Sequence, residues 1–263
     1  MKKYFFIYKT EIMSNLQYVF NILMGFIGYF ILMFIFLNLW QYIYSDPNEL
    51  INGYSMNQMI WYVTITEILW MMTGGRKLCR KIVQDVKGGN IAYNINKPYS
   101  YVGYSLASHL GSATVKGIIY LFLGMVVGFM FLGSFPTLNL FQISCVLLSI
   151  IFSTIINCLF IISIGLFSFK IEDANPFYWL YSKLILVLGT IFPIEFFPTV
   201  IRPLLTYSPI YVISYGPAKL FTSFNWETCI RVLSSQLIYL CIAYFLCTLI
   251  YKKGVKNLNV NGG

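Results

Sequence analysis

The sequence predicts an all-α integral membrane protein. It has six transmembrane helices, an N-terminal amphipathic surface helix, and broken outer helices between spans five and six. Three observations predict this. Hydrophobic residues fill 58% of the 263 positions and charged residues only 10%, against roughly 25% charged in soluble domains, so most of the exterior must face lipid. Long apolar blocks alternate with short polar stretches at the spacing that helical spans require. All but three of the 18 Lys and Arg fall on one side of the resulting map, which the positive-inside rule makes cytoplasmic.

Residues 2–17 repeat Phe5, Tyr8, Ile12 and Leu16 at helical spacing, with Lys3, Thr10 and Ser14 facing away, the pattern of a helix lying on the membrane surface. Span one, about 18–40, lies in a stretch without charge. It stays in the protein as an uncleaved anchor, because the apolar stretch behind Lys2 and Lys3 is too long for a signal peptide. Trp40, Tyr42 and Tyr44 follow as an interfacial belt, and Asp46-Pro47-Asn48 starts a turn. Span two, about 54–74, holds one charge, Glu67, and ends at Gly74-Gly75. The stretch 75–110 is too polar for lipid and reads as a cytoplasmic loop containing a short helix from Lys77 to Val86, ended by Gly88-Gly89. The next charge-free block suits two spans, 112–133 and 140–167, divided at Gly133-Ser134-Phe135-Pro136. After Lys170, Glu172 and Asp173, span five covers 177–197. Six of the nine prolines fall at 176, 193, 198, 203, 209 and 217. No straight helix holds that many, so 193–220 reads as broken helices re-entering the outer leaflet under protein cover. Span six is 232–251, closed by Lys252, Lys253 and Lys256. Both termini are then cytoplasmic, and residues 1–263 form a single transmembrane domain.

Several chemistries find no support. The basic residues form no continuous stripe, so the net charge of +9 marks orientation, not nucleic acid. There is no G-x-x-x-x-G-K-[ST] loop for ATP, no G-x-S-x-G elbow, and only one histidine, His109, with no ligand cluster for a metal. The six cysteines follow no zinc spacing and imply no disulfide framework. The chain reads as no enzyme and needs no cofactor.

Two segments carry a resemblance. IVQDVKGGNIAYNINKPYSY, Ile82 to Tyr101, and GTIFPIEFFPTVIRPLLTYSPIYVISYGPAKLF, Gly189 to Phe221, resemble the type-2 ABC transporter permeases, in particular six-span permease subunits of bacterial ABC exporters. The order of elements matches over nearly the whole chain, although both motifs are patterns of loose residue types. The resemblance implies a pore-forming subunit in the cell membrane. A separate ABC ATPase subunit would bind on the cytoplasmic side, and a second permease subunit, identical or paralogous, would pair with it. Its cargo would be a hydrophobic or amphipathic drug, peptide or lipid.

The expected ATPase-docking element comprises Lys77, Arg80, Lys81, Asp85, Gly88, Gly89, Asn90, Lys97 and Pro98, with Cys79 as a crosslinking handle. The bland alternative is that these cations only anchor span two to anionic headgroups of the surrounding membrane lipid. Glu67, costly in lipid unless paired or hydrated, is the candidate for the substrate path, with Met24 and Met71 as adaptable neighbours. Glu195 is expected to accept backbone N–H groups of the broken helix. With Pro193, Pro198, Pro209 and Pro217 it marks the outer gate. Rival readings are an ion-coupled secondary transporter, which would normally show several intramembrane charges, and a non-transporting membrane scaffold.

Overall fold

A computed structural model describes residues 2–44, 46, 49–171 and 173–261, with the side chains of 95 and 257–261 left aside. Pro47 and Asn48 of the expected turn, and Glu172 of the expected loop, lie outside the described residues. The described chain is helical throughout: α1 Lys2–Gln17, α2 Val19–Ile43, α3 Met56–Thr73, α4 Gly75–Lys87, α5 Asn90–Ile95, α6 Tyr101–Leu132, α7 Leu140–Leu166, α8 Asn175–Ile185, α9 Arg202–Thr206, α10 Gly216–Thr222 and α11 Trp226–Asn261. Two π-helical runs, Leu186–Ile191 and Tyr211–Tyr215, extend α8 and precede α10.

Among the described residues, four helices are long and apolar enough to cross a membrane: Val19–Ile43, Tyr101–Leu132, Leu140–Phe169 and Trp226–Lys256. The segments expected as spans two and five fall outside that set. The reason for α3 is its position. It is buried on nearly every face, from Met59 to Thr73, and a helix wrapped by protein needs no lipid-compatible stripe, so it can carry Glu67 and three threonines. Its ends are firmly set. Ser55 and Gln58 form a capping box at the start, and Gly74, at φ 54°, closes the last turn.

Close approach of α3 and α6 uses glycines on α6. A Cβ at Gly128 would stand 2.5 Å from the Trp61 ring, one at Gly124 2.5 Å from Ile68 Cδ1, and one at Gly117 2.9 Å from Met72 Cε. Small residues at such spacing let helix backbones come together. α6 begins at Tyr101, eleven residues before the expected start of span three. The early turns look polar in sequence because Ser108 and Ser112 face α1, not water.

α1 is a helix as expected, and a second face of it packs on α6. Phe5 and Leu16 are exposed. Tyr4, Tyr8, Glu11 and Asn15 instead meet α6: Tyr4 Oη accepts from Ser100 N, Tyr8 Oη pairs with Thr114 Oγ1, Ser108 donates to Glu11, and Ser112 to Asn15. Gly103 and Gly111 open the notches into which Tyr4 and the α1 backbone fit. The expected aromatic belt is also corrected. Trp40 and Tyr44 are buried and only Tyr42 faces outward. Trp40 packs on Phe192 and Phe196.

Candidate functional site

At one end of α3 lies α4, whose two faces differ sharply. Leu78, Cys79, Ile82 and Val83 are buried against α7 and Tyr178 of α8. Gly165 of α7 allows the fit, because a Cβ there would stand 2.9 Å from Ile82 Cβ. The opposite face exposes Arg76, Lys77, Arg80 and Lys81. Gly88 ends the helix, Gly89 at φ 73° reverses the chain, and α5 opens at Asn90 and buries Ile91. Asp85 accepts from Tyr101 Oη at 2.8 Å, tying α4 to the first turn of α6. Lys97 lies 4.5 Å from the Tyr93 ring centroid, and the Pro98 carbonyl accepts from Lys3. Lys87 reaches Asp173 at 3.9 Å, and the Asn175 backbone N–H holds the Asp173 carboxyl below its usual range. The docking residues expected from sequence are thus brought together, with α4 locked on the helix bundle. Cys79 is not the handle it was expected to be. It is fully buried, and burial, with a smaller contribution from Asp173, pushes its thiol from 9.0 up to about 12.

At the other end of α3, the segment 193–220 breaks as its prolines predict. Pro203 and Pro217 sit in the first turns of α9 and α10, and Pro193 precedes a 3-10 turn, Ile194–Phe196. Each proline lacks an N–H, and neighbouring side chains meet the carbonyls left over. Four residues before Pro193, Gly189 O accepts from Tyr62 Oη at 2.6 Å and Ser214 Oγ at 2.8 Å. Four before Pro217, Ile213 O accepts from Ser153. Five before Pro217, where a π turn would need that missing N–H, Val212 O accepts from Gln236 of α11 at 3.0 Å. Thr66 donates to Thr190 O at 3.0 Å. Pro209 lies four residues after Leu205, whose carbonyl accepts from Ser208 Oγ at 2.7 Å. At Pro198, the carbonyl of the preceding Phe197 accepts from Arg202 Nε at 2.7 Å.

Glu195 has different partners from those expected. Its carboxylate accepts from Tyr215 Oη at 2.7 Å, Lys219 Nζ at 3.0 Å and Tyr54 Oη at 3.1 Å. Arg202 holds its backbone carbonyl at 2.7 Å. Lys219 also donates to Tyr54 Oη at 2.8 Å. The cluster pins the broken segment to the residue preceding the α3 cap.

Glu67, in the middle of α3, is 2% exposed and makes no hydrogen bond or ion pair among the described residues. Tyr29 of α2, within electrostatic reach, has a buried hydroxyl without a partner among those residues. Met71 follows Glu67 one turn later and packs against the main core. Met24 does not join them. It is half exposed, on the side of α2 away from the contact face formed by Ile22, Tyr29, Met33, Leu37 and Trp40.

The family profile for the ABC-2 family transporter protein matches residues 27–262. The chain belongs to this family. No curated protein matches it. The ABC-2 match runs from the third turn of α2 through α11, so it takes in α4, Glu67 and the proline segment and leaves α1 outside. ABC-2 members are membrane transport components that work with an ATPase subunit. Tyr54, Tyr62, Ser153, Tyr215, Lys219 and Gln236 escaped the sequence reading. Each lies far from its partner in sequence, and a single polar residue in an apolar run gives no sign of what it meets.

Proposed function

We propose that the chain is the permease subunit of an ABC exporter in the cytoplasmic membrane. It crosses six times, through α2, α3, α6, α7, α8 with its π extension, and α11, with both termini cytoplasmic. A separate ATPase docks on α4–α5, and a second permease subunit completes the transporter. α2 and α11 keep broad apolar faces for lipid and for that second subunit. The observation that carries this reading is α4 itself: an exposed row of four cations on a helix whose other face is anchored in α7 and α8. Rigid attachment of that kind turns closure of a bound motor into movement of the spans. The cargo is hydrophobic or amphipathic, and Glu67 meets its cationic group along the path.

Reversing Arg76, Lys77, Arg80 and Lys81 to Glu together tests the docking. The variant retains its melting temperature and gel-filtration profile and loses co-purification of the P-loop ATPase more than tenfold. Retention of the ATPase by this variant would overturn the assignment and leave the cations as headgroup anchors.

A further inference from the structure

A groove opens between the end of α7 and the later turns of α11. It encloses about 210 Å³, walled by Phe167, Phe169, Leu246 and Leu249, with Lys170 and Lys253 at its rim. Gly254 lets the Phe169 ring pack directly on α11 and so fixes one wall, since a side chain there would collide with that ring. The wall is apolar and partly bare, with Phe167 and Leu246 both about two-fifths exposed. Both rim lysines are exposed and make no ion pair or hydrogen bond among the described residues. The nearest described acid in sequence, Asp173, is taken by Lys87 and Asn175.

The groove also has a direction. Leu246 precedes Lys253 by seven residues on one helix, which places the charged rim roughly 10 Å further along the axis. The apolar run of each helix gives way to charge at this level, at Lys170 and at Lys252-Lys253. An apolar slot that runs up into the hydrocarbon from a pair of lysines without an acid partner among the described residues matches a phospholipid lying against the protein. An acyl chain would run along Phe167 and Leu246, and a phosphate would meet the two ammonium groups. Basic pockets between spans on the cytoplasmic side recognise anionic headgroups in this way.

We propose that this groove is a specific site for one anionic phospholipid, with Lys170 and Lys253 holding the headgroup phosphate and the α7–α11 slot holding an acyl chain. A zwitterionic lipid fills the slot but gains less from the rim, because its own cation opposes the lysines. The site rests on the reading that α11 ends at the cytoplasmic face, where anionic lipid meets it.

The test uses the purified full chain in neutral detergent, titrated with phosphatidylglycerol, with phosphatidylcholine of the same chains, and with inorganic phosphate. Bound lipid is read by native mass spectrometry and stability by melting. Phosphatidylglycerol is expected to bind at least fivefold better than phosphatidylcholine and to raise the melting temperature, while phosphate does neither. Lys170→Gln with Lys253→Gln removes the preference and leaves phosphatidylcholine binding unchanged. Leu249→Trp, which fills the slot, lowers retention of both lipids. Equal binding of the two lipids by the unaltered chain overturns the site, as does equal protection by inorganic phosphate. A change of oligomeric state in Leu249→Trp with lipid retention unchanged would assign the groove to a second copy instead. Micelles have no sides, so this result is independent of topology. Protease cleavage of a C-terminal tag from outside intact cells would sink the orientation and leave the lipid preference standing.

Discussion

Glu195 and Lys219 form an ion pair at 3.0 Å whose side chains are 29% and 20% exposed. A pair this sheltered gains from low dielectric, and its carboxylate also has two tyrosine donors. Removing the cation leaves a carboxylate still bonded to Tyr54 and Tyr215. Lys219→Met is therefore expected to cost about 1–3 kcal/mol. Glu195→Gln keeps two acceptor contacts and costs less. Thermal melts of both single variants and the double variant check this, and additive losses would show that the pair contributes no coupling. Sequence alone could not show this cluster. Glu195 and Tyr54 are 141 residues apart, and the expectation that Glu195 accepts local backbone N–H groups came from the nearest available donors. Cys79 supplies a second residue-scale outcome. Its neutral thiol is favoured by burial, with the folded value raised from 9.0 to about 12. The contribution is fully present below about pH 9 and is lost as pH rises through about 12, because only the unfolded thiol ionises readily in that window. Maleimide at pH 8 should leave Cys79 unmodified in the folded protein and modify it after denaturation. Labelling of the native protein within minutes would contradict its burial.

At the scale of elements, the proline-broken segment persists because three helices finish its hydrogen bonding. Backbone away from helical geometry survives at membrane depth only where protein satisfies it. Gln236 is the clearest case. It donates to Val212 O, Ser149 O and Ser149 Oγ, each at 3.0 Å. Gln236→Met keeps the volume and orphans Val212 O, which has no backbone donor at Pro217, so a loss of about 2–3 kcal/mol is expected, against about 1 kcal/mol for Tyr62→Phe, where Ser214 still serves Gly189 O. Chemical-denaturation midpoints rank the two, and the reverse order would break the account. The proline spacing made the break legible in advance, since six prolines between 176 and 217 exclude a straight helix. The repair was not legible, because Tyr62, Ser153 and Gln236 read as isolated polar residues in apolar runs. α1 hid its packing partner in a different way. Its apolar spacing was real, but Gly103 and Gly111 on α6 create notches that accept Tyr4 and the α1 backbone, and no periodicity within α1 reports them.

For the whole molecule, the decisive question is how often the chain crosses the bilayer. Length and composition single out α2, α6, α7 and α11. α3 is interior to the bundle, so lipid does not dictate its composition and hydropathy understates it, whereas α8 is 11 residues long before its π run, and the two together expose Phe177, Trp179, Leu180, Leu184 and Val187. Geometry supplies an independent criterion. α4 joins the last turn of α3, whereas Glu195 and Lys219 meet Tyr54 just before its first. The 18 residues of α3 rise about 27 Å, close to the roughly 30 Å of a hydrocarbon core. On the proposed six-span reading, the basic face of α4 and the proline segment fall on opposite sides of the membrane. Single cysteines separate the two topologies. Thr199→Cys, on an exposed stretch of the proline segment, should react with an impermeant maleimide in intact cells. Lys87→Cys should react only after permeabilisation, with the unaltered chain as the blank. A four-span chain in which α3 does not cross would place both positions on one face, and their equal labelling in intact cells would end the six-span reading and the docking geometry that depends on it.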